Sequence, residues 1–434
     1  MRRIFNIIGM IFLTFGLSQS FAQEKEKITL NVDQAISYAR EHSRSIKSAA
    51  IDVESSSDNR NHVLNVFCPD VSFSGSITRQ NANTDIYTAN GNASISLNWN
   101  LSIIEDIKKA NQDYEAGLIS WEQTVKQNSR DVKKLFYNIL LQQESLKNDR
   151  QTLENTLQRY ENTKKSCESG RAAKLDLLQS NVTYQNMKLD VDKTERSFKQ
   201  QLRHFSSVLG IPAGTEIELE GNLEADFFDI NREEMLEKYS AYNSEVRLLE
   251  SQLKSVKAQI AGADLKSFTP SFSFGYSTTP AISPMDEKDW FDKDNWDDKG
   301  KLSFTLSWDL TNALPFSNNR IKRRDLERQR DQIMLKIEQK KDDIILDTDK
   351  LFDQLSSSKE SIEASKENIT LAEESYRLLS NAYNNGSADF IQVKEAESQL
   401  NKARLARQSE LYTYICALTD LEYMLDLPKD WQSK

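Results

Sequence analysis

Arg159–Gln179, RYENTKKSCESGRAAKLDLLQ, decides how this chain is read, because it occurs twice. Its echo is Ser375–Glu395, SYRLLSNAYNNGSADFIQVKE. The offset that lays Arg159 on Ser375 also lays Tyr160 on Tyr376, Gly170 on Gly386 and Leu175 on Ile391. Upstream it matches Leu135 with Leu351, Phe136 with Phe352, Ile139 with Leu355, Leu146 with Ile362 and Leu153 with Ile369. Downstream it matches Leu189 with Leu405 and Pro212 with Pro428. The copy is too long for a solenoid unit, so the chain is a duplicated half-protein. In each copy a long helical run meets a glycine and a second helical run follows. Glycine tolerates positive φ and ends helices, so Gly170 and Gly386 are expected at the tips of two helical hairpins.

Working outward, Ile103–Glu168 contains no proline and one glycine, and Asn318–Asn385 is its equal in the second copy. At 1.5 Å per residue each spans roughly 100 Å. Leu135, Ile139, Leu146, Leu153, Leu157 and Tyr160 recur with coiled-coil spacing. Shorter helices return from the tips over Arg171–Leu209 and Ser387–Leu425. Leu30–Val66 reads as one further helix, with Asn31 as its N-cap and Pro69 after its end.

Past Pro69 the period changes to two. Val71, Phe73 and Ile77 alternate with serines, and Ala93, Ile95, Leu97, Trp99 and Leu101 alternate with Ser and Asn. Strands are expected at about 70–79 and 92–102, with a polar turn over Asn81–Asn92. Past Pro270 the same pattern predicts strands at 271–278 and 301–310, joined by an acidic loop, Thr279–Gly300. The strands have one apolar and one hydroxyl face, and lengths that cross a bilayer at a tilt. Trp99 and Trp308 suit an interfacial girdle.

Only 38% of the 434 residues are hydrophobic and 28% are charged, which suits long half-wet helices. Met1–Ala22 reads as a secretory leader: Arg2 and Arg3, an apolar core, then Ser20-Phe21-Ala22. Without it the formal charge of −10 becomes about −12, which argues against nucleic acid. Cys68, Cys167 and Cys416 are too scattered to frame disulfides. His42, His62 and His204 are isolated, and no phosphate-binding, zinc or nucleophile-elbow motif is present. The chain is expected to be no enzyme and to carry no cofactor or metal. The expected organisation is a leader (1–22), a first repeat (23–212), a linker (213–231), a second repeat (232–428) and a tail (429–434).

Four strands cannot close a barrel, and an open edge in lipid is too costly. Copies must therefore share a barrel, as a dimer or as a trimer with twelve strands. The helices would hang together beneath it as a tube. The competing class is a periplasmic coiled-coil adaptor or structural protein without a pore. Adaptors have one hairpin flanked by compact β domains, whereas this chain has two hairpins and paired strands.

The leader, the duplicated helix–hairpin–helix plan and the two glycine tips resemble the outer membrane factor (TolC-like) family. The resemblance covers nearly the whole mature chain. It implies a mainly α fold with membrane β: a homotrimeric twelve-stranded outer-membrane β-barrel continuous with a twelve-helix periplasmic α-barrel. It implies a duct of the Gram-negative outer membrane serving efflux or type I secretion. The implied partners are outer-membrane lipid, a periplasmic adaptor (membrane fusion) protein and an inner-membrane pump of RND, ABC or MFS type. The adaptor would dock at the tips, here Gly170, Arg171, Gly386 and Ser387. Relatives often carry acidic gate rings six and nine positions after the second glycine, which are Gln392 and Glu395 here. The aspartate matching Asp176 is held in the family by a tyrosine matching Tyr383. A basic partner two positions after the second glycine is replaced by Ala388. Read without the family, Asp176 is a solvated helix-start residue and Glu395 an exposed helix face.

Overall fold

The computed structural model describes residues 27–81, 85–212, 215–228, 231–239, 243–286, 288–385, 387–428 and 431. The leader Met1–Ala22, Gly386 and most of the tail 429–434 lie outside the described residues.

The long uninterrupted runs are helices. α3 is Ile103–Glu168, 66 residues, and α7 is Asn318–Asn384, 67 residues. They return as α4, Lys174–Leu209, and α8, Phe390–Met424. No helix of the described residues is long and apolar enough to cross a membrane.

The segment Leu30–Val66 is not one helix. α1, Val32–His42, and α2, Arg44–His62, meet at Ser43, which is extended at ψ 131°. Gly210, at φ +81°, ends α4 against this break; a Cβ there would lie 2.4 Å from the His42 carbonyl oxygen. The helix yields because the returning hairpin crosses it, which no local signal announces. Asn31 caps α1 as its residue type predicts, accepting from the Gln34 N–H at 2.8 Å.

Four strands form one antiparallel sheet in the order β2–β3–β5–β7. They are β2, Asp70–Asn81; β3, Asp85–Asn100; β5, Ser271–Thr278; and β7, Lys301–Ser307. A short β6, Ala281–Ile282, pairs with β3 off this path. Register matches like with like. Val71 faces Ile95, Ile95 faces Tyr276, and Tyr276 faces Leu302. On the other face Ser72 and Ser94 hydroxyls meet at 2.7 Å, and Ser271 and Ser307 at 2.9 Å. The first hairpin runs further than the expected polar turn over Asn81–Asn92, because Asp85–Asn92 pair with Ser74–Asn81. There Gly75, Gly91, Arg79 and Asn90 interrupt the alternation that marks a strand, while its hydrogen bonds continue. The last strand stops at Ser307 rather than residue 310, because the Asp309 carboxylate accepts from the Thr311 N–H and starts a 3₁₀ turn.

The linker holds β4, Glu216–Leu219, which pairs in parallel with β1, Lys27–Leu30. This tie joins the start of the first copy to its end. Around it Ala35, Val132, Phe136, Ile139, Phe205, Leu209 and Leu219 form one core. The second core uses the matched positions Leu351, Leu355 and Ile362, with Tyr414 and Leu421. Two short helices precede the second sheet half: α5, Arg232–Tyr239, and α6, Ser244–Phe268. Beneath the sheet α2 packs on α3, α3 on α6, and α6 on α7, repeating the strand order.

Candidate gate at the hairpin tips

At the first tip Gly170 takes φ +75°. The Arg171 N–H donates back to the Ser166 carbonyl at 2.8 Å, closing the end of α3. A Cβ at Gly170 would meet nothing within 4 Å, so the backbone angle alone requires glycine. At the second tip the Ser387 N–H donates to the Ala382 carbonyl at 2.8 Å, the same closure. Arg171 and Ser387 are both exposed.

The returning helices begin differently. α8 starts after Asp389, whose backbone N–H is accepted by the Gln392 side chain at 3.1 Å. α4 starts after Ala173, with no side-chain cap. Asp176 and Gln392 occupy the same third position of their helices, so the residue at this place in one copy is a cap and in the other a carboxylate. Asp176 is half-buried, and Gln392 and Glu395 are exposed. Tyr383 packs edge-on to Phe390, with ring centroids 6.3 Å apart. Among the described residues no hydrogen bond joins Tyr383 to Asp176. Glu395 borders a groove between α4 and α8 lined by Leu178, Val182, Phe390, Ile391 and Lys394.

Sequence reasoning missed the ion pair behind the tips. Arg159 of α3 donates from Nη2 to Glu397 Oε2 of α8 at 3.0 Å, with side chains 11% and 10% exposed. The Arg159 guanidinium lies over the Phe390 ring at 5.6 Å. Burial raises the Tyr376 phenol above its ordinary range, and the Glu397 charge adds to this. Arg159 Nη1 and Glu397 Oε1 are buried without a hydrogen-bond partner. A readable signal did exist: the pair breaks the duplication, since its counterparts are Ser375 and Asn181.

Further up, charged side chains strap the copies together. Lys126 reaches Glu122 at 2.7 Å and Asp426 at 2.5 Å, and Arg247 reaches Glu122 at 3.6 Å. The Lys126 hydrogen bond holds the Glu122 carboxyl below the usual carboxylate range, with both cations adding to it. At the lower end of the sheet Trp99 stacks on Phe272 at 5.1 Å, and Trp308 sits just past β7, exposed. Among the described residues no three side chains are grouped to hold a metal ion.

The fold is thus a duplicated pair of long helical hairpins joined to one open, two-faced sheet. Residues 35–210 and 236–425 match the model of the outer membrane efflux protein family. The chain belongs to that family, and so is an efflux channel of the Gram-negative outer membrane that extends into the periplasm. The outer membrane protein VceC of Vibrio cholerae is 12% identical, with a TM-score of 0.74, covering 91% of this chain and 95% of that one. The Campylobacter jejuni CmeC outer membrane channel gives 12% and 0.74, covering 91% and 85%. The open state of the Neisseria gonorrhoeae MtrE outer membrane channel gives 17% and 0.71, covering 91% and 88%. Comparison with curated protein sequences gives no match.

Proposed function

We propose that three copies of this chain close one twelve-stranded barrel in the outer membrane, with their helices forming a twelve-helix tunnel beneath it. One observation carries this reading: the sheet ends in two unpaired edges, β2 and β7, while one face is apolar across all four strands. Lipid satisfies such a face but cannot satisfy the edges, so copies must pair edge to edge. The hydroxyl face then lines a water-filled lumen. The tunnel's tips, Gly170, Arg171, Gly386 and Ser387, meet a periplasmic adaptor, and an inner-membrane pump of RND, ABC or MFS type supplies cargo. Trp99 and Trp308 belong to the girdle at the membrane surface.

The tips are the gate. In the closed trimer Asp176 accepts a charge-assisted bond from the Tyr383 hydroxyl, and Glu395 narrows the entrance. Gln392 is a neutral amide and adds no ring charge; its side chain serves its own helix start. Crosslinking followed by mass determination in detergent tests the assembly. Three linked copies are expected; a particle of one copy sinks the reading.

A further inference from the structure

The duplication also specifies how neighbouring copies pair, because it repeats at the level of strands. Leu97-Asn98-Trp99-Asn100-Leu101 in β3 matches Leu306-Ser307-Trp308-Asp309-Leu310 at β7. Pro270-Ser271-Phe272-Ser273-Phe274 at β5 matches Pro69-Asp70-Val71-Ser72-Phe73 at β2. The seam between the copies inside one chain is β3 against β5, where Leu97 faces Phe274 and Ile95 faces Tyr276. Its equivalent between chains is β7 against the next β2. Resting on the trimeric reading above, we infer that β7 of one subunit pairs antiparallel with β2 of the next in a single register. Leu306 faces Phe73, Thr305 faces Ser74, Phe304 faces Gly75, Ser303 faces Ser76 and Leu302 faces Ile77.

Three features support this register. It keeps apolar residues together and hydroxyls together, as most pairings inside the chain do. It sets Phe304, 71% exposed, opposite Gly75, where a side chain is absent and the nearest atom to an added Cβ is 3.8 Å away. It also closes the belt at a workable tilt. Val71 meets Ile95, Ile95 meets Tyr276, Tyr276 meets Leu302, and Leu302 then meets the neighbouring copy's Ile77. Over three subunits that advance gives strands tilted about 46°, close to the usual 35–45°.

Registers slipped by two residues either way compete. One sets Phe304 opposite Phe73 and Leu302 opposite Gly75 at a tilt of about 35°, and the match to the β3–β5 seam, not the tilt, sets it aside. The two hairpins themselves differ by that amount: Val71 faces Ile95, whereas its match Phe272 faces Leu306 and not Phe304. The opposite slip would set Leu302 opposite Arg79 and raise the tilt to about 54°. The steeper strands disfavour it; Arg79 lies on the apolar face in either register.

Disulfide trapping in the membrane-inserted chain tests the register. Cys68, Cys167 and Cys416 are first replaced by serine. Thr305→Cys is then combined with Ser74→Cys, Ser72→Cys or Ser76→Cys, and oxidised chains are separated without reductant. Opposite Cβ atoms lie about 5 Å apart and diagonal ones about 7–8 Å, so the Ser74 pair should link roughly tenfold faster and climb to a three-chain band. Faster linking of the Ser76 or Ser72 pair overturns the register and leaves the trimer standing. No linking by any pair, with three copies by mass, also overturns the register alone. No linking with a one-copy mass overturns both.

Discussion

The two hairpin tips descend from one sequence yet solve the same turn differently. The second tip spends its third helical position on an internal cap, with Gln392 accepting from the Asp389 N–H. The first leaves its helix uncapped and puts the Asp176 carboxylate in the same place. Behind both, Arg159 and Glu397 join the hairpins through a pair found once, not twice. Duplication supplied the shape, and divergence placed different side chains at the third helical position: one holds its own helix start, and under the gate proposed above the other accepts from Tyr383.

The largest effect is expected from the unpaired half of the buried ion pair. Glu397→Ala strands Arg159 without its carboxylate, at a cost of about 3–5 kcal/mol. Amide exchange should rise at both tips together; a rise at one tip alone would show that the hairpins are not joined there. Asp176→Ala comes next. Loss of a charge-assisted bond of about 2 kcal/mol shifts the closed-to-open ratio roughly thirtyfold. Single-channel conductance in planar bilayers should increase, and unchanged conductance removes the latch. Gln392→Ala sharpens the contrast: it costs about 1 kcal/mol of helix-start stability and leaves conductance alone. If it opened the channel, the two positions would share one duty after all.

Glu395→Gln is a smaller change, expected to reduce cation preference. It is read as a reversal potential under a salt gradient, and an unaltered value counts against a gate charge. The smallest effect is a pH response above the tips. Glu122 is held below its ordinary pKa by Lys126 and Arg247, so its contribution is present above the unfolded carboxylate value. That contribution is lost as pH falls through the folded value. Lys126→Met should flatten the acid limb of the melting curve while the tips keep their exchange rates.

The rods and the two-faced sheet were legible because period and breaker placement are local. α3 begins and ends at Ile103 and Glu168, where the pattern starts and where Gly170 approaches. What stayed hidden was non-local. The break at Ser43 depends on Gly210 pressing against His42. β4 is four residues whose partner, Lys27–Leu30, lies far away in sequence. At the tips the family resemblance pointed to Asp176 and Tyr383, but not to Arg159 and Glu397. That pair is visible only once α3 and α8 stand side by side. Gln392 read as a missing charge; its local hydrogen bond explains why an amide fits there.

The stiff stems have a mechanical consequence. Phe136 is anchored in the core, and Gly170 lies about 50 Å away, just past the far end of the same unbroken helix. Such a lever converts a pivot of about 6° at its fulcrum into a sweep of roughly 5 Å at the far end. Widening the entrance therefore asks little of the packed middle of the molecule, and a modest tug at the extremities suffices.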